Sequence, residues 1–176
     1  MRRLIGPTTL ALAALALAGC ASTMSVSSHI DREADFGQYR TYDWGPADAL
    51  PTGDPRLDAN PRFKDHLQGE IEKQLAGRGL TLAPAGTADL LIHYHAHISE
   101  RIDPASVDQS YGYGGQARDY EAGTIVLDIV DARTRRVVWR GWAQDAVAPL
   151  LAGDDEMTRK IHEAVTRMLA RFPGRS

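Results

Sequence analysis

The chain has 176 residues, a formal net charge of −3 and a single cysteine, with 43% hydrophobic and 24% charged residues. That length and composition suit one domain of ordinary size with its own core. The acidic balance, with no polybasic stretch anywhere, excludes nucleic acid as an expected partner, because phosphate recognition needs clustered Lys and Arg.

Residues 1–19 read as a secretory signal peptide. Arg2 and Arg3 form a positive start, Leu10 to Ala18 an apolar run, and small residues follow. The apolar run is too short to span a bilayer comfortably. Its end, Leu17-Ala18-Gly19-Cys20, resembles the lipobox of bacterial lipoproteins, in which the cysteine becomes the first mature residue and carries lipid on its sulfur and its amine. The resemblance implies that Cys20 is lipidated, which leaves neither a disulfide nor a thiol nucleophile. Ala21 and Ser22 follow where an aspartate would imply inner-membrane retention, so the likeness implies the outer membrane, periplasmic face. Several acyl chains would make attachment effectively permanent, since each buried methylene contributes about 0.8 kcal/mol. Removing residues 1–19 takes away two arginines and no acid, leaving a net charge of −5.

Residues 20–25 form the lipidated cysteine and a short tether, and 26–176 the domain. Met24, Val26, Ser28 and Ile30 alternate with polar residues as a first strand. Asp35 to Tyr39 reads as a turn with aromatic anchors, Arg40 to Trp44 as a second strand, and Pro46 to Pro55 as loop. Asn60-Pro61 opens a helix whose Phe63, Leu67, Ile71 and Leu75 share one stripe, ended by Gly77 and Gly79. Leu80 to Leu82 makes a short edge strand. Asp89 to Glu100, Ile125 to Ala132 and Arg136 to Val147 follow as three strands, the last two joined by a turn that Asp131 shapes with Thr134. Acid-rich Gly153 to Glu156 starts a final helix with the buried stripe Met157, Ile161, Val165, Met168, Leu169 and Phe172, stopped by Pro173. The expected fold is α+β: an antiparallel sheet of about five to six strands with two helices on one face, a two-layer sandwich.

The third long strand holds His93, His95 and His97. Alternation puts Leu90, Ile92, Tyr94, Ala96 and Ile98 toward the core and the three histidines on the opposite face. The simpler reading is a solvated strand face. The alternative is a zinc or copper site using two of the histidines, with Asp128 on the neighbouring strand as a further ligand. Arg140 is expected on the same face, where it would oppose a bound cation. Acidification should loosen the region, because charged histidines on one face repel one another.

Asp108 to Gly123 is rich in glycine and tyrosine and reads as a long hairpin loop. Tyr111, Tyr113 and Tyr120 there, with a half-exposed Trp142, are candidate contacts for an envelope protein or a glycan. Trp139 points to the opposite face from Trp142 and reads as core. No nucleophile elbow, zinc-protease helix or phosphate loop is present, and no catalytic residue is assigned.

As a set, Asp35-Phe36, Tyr39, Thr41-Tyr42-Asp43-Trp44, Asp89-Leu90-Leu91-Ile92, Gly123 to Asp128, Val138-Trp139-Arg140-Gly141 and the helix ending at Phe172-Pro173 resemble the bacterial lipoprotein family called domain of unknown function 4136. The likeness spans nearly the whole mature chain. It implies an envelope lipoprotein and supplies no activity, cofactor or catalytic residue. The sequence therefore points to a non-enzymatic module tethered to the outer membrane, with metal handling as the alternative.

Overall fold

The computed structural model describes residues 24–45, 54–102, 119–146 and 153–173. Cys20, Tyr111 and Tyr113 lie outside the described residues. So does the side chain of Tyr120, whose backbone pairs with Arg101.

The elements are β1 (Ser25–Ile30), β2 (Thr41–Trp44), α1 (Pro55–Asp58), α2 (Pro61–Ala76), β3 (Thr81–Leu82), β4 (Leu90–Ile102), β5 (Asp119–Asp131), β6 (Val137–Ala146) and α3 (Asp154–Leu169). The strands form one six-stranded sheet in the order β1-β6-β5-β4-β2-β3. Helices α2 and α3 pack on each other and cover one face, with α3 over β6 and β1.

The α+β sheet with helices is as expected, but two details differ. The sheet is mixed: β1, β6, β5 and β4 pair antiparallel, whereas β2 runs parallel to both β4 and β3. The cause is the helical connection. Chain leaving β2 passes through α1 and α2 before rejoining the sheet, so it re-enters in the same direction, as a helical crossover requires. The second difference is a third helix, α1, at the end of the stretch expected to be loop. Asp54 caps it by accepting from the Arg56 N–H at 2.8 Å, Pro55 sits at its first position, and Leu57 enters the core.

Each long helix forms for local reasons. The Asn60 side chain accepts from the Phe63 N–H at 3.2 Å, and Phe63, Leu67, Ile71 and Leu75 are all buried. Gly79, at φ 78°, ends α2: its N–H donates to Ala76 and the Leu80 N–H to Leu75, a closure that needs a left-handed residue. At α3, Asp154, Asp155 and Glu156 occupy the first turn, where negative charge meets the positive end of the helix dipole. Lys160 ties α3 to β6 through Asp145, and Gln74 ties α2 to α3 by donating to Thr166 at 3.0 Å.

The β4–β5 hairpin is longer than expected. Pairing runs unbroken from Leu90↔Asp131 to Ile102↔Asp119, so Asp119 to Gly123 belong to a strand rather than to the loop. Continuous cross-strand pairing overrides the low strand propensity of one glycine.

The β2–β4 parallel contact depends on Asp89. One carboxylate oxygen accepts from the Arg40 and Thr41 N–H groups and the Thr41 hydroxyl at 2.8–3.0 Å, while the Asp89 N–H donates back to Thr41. These bonds hold the Asp89 carboxyl below its usual range, the Arg40 N–H contributing most. The Asp-Leu-Leu-Ile stretch therefore has a physical role: the acid sets the register of the edge, and Leu90 and Ile92 fill the core beneath it.

Candidate functional site: the helix-free face of the sheet

Side-chain parity carries the three histidines to the face that none of the described helices covers, called helix-free below. Leu90, Ile92, Ala96 and Ile98 are buried under the helices, while His93 and His95 are half-buried and His97 exposed on the other side. Register then builds rows across the face. His93 pairs with Asp128, Asp128 with Arg140, and Arg140 with His29. One step along, His95, Val126, Trp142 and Ser27 form a second row; then come His97, Thr124, Gln144 and Ser25.

The first row has a built centre. Arg140 Nε and Nη2 donate to the two oxygens of Asp128 at 2.5 and 2.6 Å. Asp128 is only 3% exposed, while the Arg140 side chain is 49% exposed. The carboxylate thus lies beneath the guanidinium and fixes it from below, and the ion pair holds Arg140 above its ordinary value. Replacing Arg140 with methionine strands that carboxylate and should destabilise the fold by about 1–3 kcal/mol, with Asp128→Asn/Arg140→Gln recovering part of the loss; chemical denaturation checks both.

His93 lies against Gly45. A Cβ built on Gly45 would fall 1.9 Å from His93 Cε1 and 2.4 Å from both ring nitrogens, so only glycine lets the imidazole rest on that backbone. The Gly45 N–H donates to Ile92 at 2.9 Å, continuing the β2–β4 contact past Trp44. Gly45→Ala should cost about 1–3 kcal/mol, and adding His93→Ala should return part of it. Additive losses in a double-mutant cycle would show that the two do not touch.

Burial lowers the His93 pKa below its ordinary value of 6.5; Asp128 opposes this, and His95 and Arg135 add to it. The sign follows from linkage. Between the folded and unfolded values the unfolded chain binds more protons, so the contribution is complete above pH 6.5 and is lost as pH falls through the window below it. A second loss comes from carboxylates held low. Asp54 is lowered chiefly by Arg56, while hydrogen bonds to Glu70 and Asp131 outweigh the burial that would raise them. The expected thermal midpoint is flat between neutrality and the ordinary tyrosine value of 10.0, above which the raised Tyr39 makes it fall; it declines in mild acid and falls steeply in strong acid. His93→Gln should flatten only the mild-acid limb; an unchanged limb would assign it elsewhere.

The candidate metal ligands share a face as expected, but Asp128 gives both oxygens to Arg140. Among the described residues no three His, Cys, Asp or Glu side chains converge to hold a metal ion. Trp142 is 37% exposed on this face, and Trp139 is fully buried on the other. Parity in the sequence foretold both positions. It did not signal the packing of Gly45 on His93, which joins residues 48 positions apart.

Comparison with known proteins adds fold-level likenesses. A PDZ domain protein from Parabacteroides distasonis superposes with a TM-score of 0.53 at 16% identity, over 85% of this chain but 36% of its own, so the chain spans about a third of that protein. The PelC dodecamer from Paraburkholderia phytofirmans superposes at 0.51 with 11% identity, covering 87% of this chain and 99% of its own. At such identities the likeness concerns the fold alone. No curated protein matches the chain. Among the described residues no helix is long and apolar enough to cross a membrane. The profile of the family described as "Domain of unknown function (DUF4136)" matches residues 26–174, and the chain belongs to that family.

Proposed function

We propose that the protein is an outer-membrane lipoprotein, held by lipid on Cys20, whose domain faces the periplasm as a non-enzymatic binding module of the cell envelope. The observation that carries this reading is the order of Arg2-Arg3, the apolar run Leu10 to Ala18, and Leu17-Ala18-Gly19-Cys20. The fold agrees with it. Strand β1 begins at Ser25, five residues after Cys20, so the tether spans at most about 17 Å and keeps the sheet close to the bilayer. The buried carboxylates support a binding role over a catalytic one. Asp128 is taken by Arg140, and Asp131 by Tyr39 and the backbone of the β5–β6 turn. Each is committed to holding structure in place, Asp131 even where it borders a small surface cleft, and neither is free as an acid or base.

The test is fractionation of the full chain in a bacterial host. The native sequence should sediment almost entirely with outer membranes, and Cys20→Ala should move most of it to the soluble fraction or leave it unprocessed. Equal partitioning of the two would refute the anchor.

Metal capture remains a second reading because His93, His95 and His97 share one face. With Asp128 engaged, the ligands would be histidines alone. Zinc or copper titration of the full chain, with His95→Ala as control, decides it: micromolar binding lost in the variant supports this reading, and no binding ends it.

A further inference from the structure

The face that no described helix covers combines a fixed guanidinium and an exposed indole, with no exposed acid in the rows around them; Asp43 lies on the same face but on β2, three strands from Arg140. Arg140 has spent two donors on Asp128, and its Nη1 has no partner among the described residues. Its orientation is set before any ligand arrives, which reduces the ordering cost of binding. Trp142 stands two residues further on the same strand and face, about 7 Å along it. It is flanked by Ser27 on β1 and Val126 on β5, side chains smaller than the indole. Beside this pair, in the row of Trp142, stands His95 as a hydrogen-bonding group.

The charge on this face is unlike that of the whole chain. The sequence is net −3, yet the described residues of rows His93 to His29, His95 to Ser27 and His97 to Ser25 contain one acid, Asp128, which is buried and neutralised. What these rows display to solvent is the guanidinium, with its balancing carboxylate buried beneath it. Apolar exposure is also limited. Trp142 is the one large exposed hydrophobic in these rows; Val137 lies at the turn end of the sheet, and Ile30 and Leu82 on its two edge strands. A protein partner would ask for a broader apolar centre. An aromatic platform beside a rigid arginine and a hydrogen-bonding imidazole instead suits a sugar ring that carries a carboxylate.

We propose that this face binds an acidic glycan, with a sugar ring stacked on Trp142 and its carboxylate paired with Arg140. The proposal deepens the envelope-binding reading and rests on it for its setting. The stacked ring offers C–H groups to the indole face, and the carboxylate completes the guanidinium's donor set. Because Arg140 is already anchored by Asp128, the arginine supplies specificity and Trp142 most of the contact area.

The test is titration of the full chain in detergent with oligogalacturonate and, separately, with muramic-acid-bearing cell-wall fragments; dextran is the neutral control. Trp142 is the most exposed tryptophan, so its fluorescence is a direct readout. Saturable binding to either acidic glycan, at least about tenfold tighter than to dextran, is expected, and the two arms identify which acidic sugar the face prefers. Trp142→Ala should weaken binding about tenfold or more and abolish the fluorescence change. Asp128→Asn/Arg140→Gln, which leaves no buried charge stranded, should lower acidic binding toward the dextran level. Absence of binding to both acidic glycans overturns the proposal, as does equal affinity for dextran or unchanged affinity in both variants. A lipidated Cys20 with no glycan binding would defeat this inference alone, whereas an unmodified Cys20 would defeat the anchor whatever the glycan result.

Discussion

Trp139→Ala is expected to destabilise the domain by about 3–5 kcal/mol, the range for emptying a fully buried indole site. Against a total stability of about 5–15 kcal/mol for a domain of this kind, that is a large fraction of the whole. The indole is completely buried on the helix side of β6. It meets Phe172 edge-on, with centroids 5.6 Å apart; Phe172 meets Phe36 at 5.5 Å, and Phe36 meets Tyr39 at 6.0 Å. One continuous aromatic series thus joins β6, the end of α3 and the turn before β2. The indole N–H donates to the Arg171 carbonyl at 3.3 Å, fixing the chain where α3 ends. Gly141 is part of the same design. A Cβ there would lie 2.2 Å from Trp139 Cη2, so the ring lies over the bare backbone two residues on. Gly141→Ala should therefore destabilise by about 1–3 kcal/mol through overpacking. Urea denaturation measures both, and a loss under about 1 kcal/mol for Trp139→Ala would show that this aromatic series contributes little.

Asp131→Ala is expected to cost about 2–4 kcal/mol, because several donors lose one acceptor together. Asp131 is 6% exposed. It accepts from the Tyr39 hydroxyl at 2.9 Å, and from the Arg133 and Thr134 N–H groups at 2.9 and 2.7 Å. The variant leaves a buried phenol without a partner and loosens a turn in which Arg135 holds φ 59°. The pKa directions agree. Tyr39 is pushed up to about 12, by burial first and then by Asp131. Asp131 is held low because the bonds from Thr134 and Tyr39 outweigh its burial. Tyr39→Phe tests the partition: it removes the donor with its need, so it should cost less than Asp131→Ala. Equal costs would assign the whole effect to the phenol.

How much of this could be read beforehand depends on whether the information is local. The α2 stripe is visible because Phe63, Leu67, Ile71 and Leu75 recur at helical spacing, and Asn60-Pro61 marks its start. The histidine face follows from alternation alone, and so do the opposed positions of Trp139 and Trp142. The direction of β2 is different. Alternation says which face a residue takes and nothing about which way its neighbour runs, so the parallel β2–β4 pairing is not legible in it. Helix α1 was hidden because a single turn opened by Asp54-Pro55 shares its composition with loops, and only Leu57 entering the core distinguishes it. At the candidate site, Arg140 beside Asp128 was legible from parity. The seating of His93 on Gly45 was not, since it depends on how far β2 continues past its last paired residue.

On the function proposed above, a lipid on Cys20 carries this domain at the envelope surface, with the helix-free face available for binding. Mass spectrometry of the N-terminal peptide from protein made in a bacterial host with an outer membrane tests it most directly. The expected result is a mature chain beginning at Cys20 and heavier than its sequence by the mass of attached acyl chains. A free Cys20 thiol on a chain still carrying residues 1–19 would contradict it.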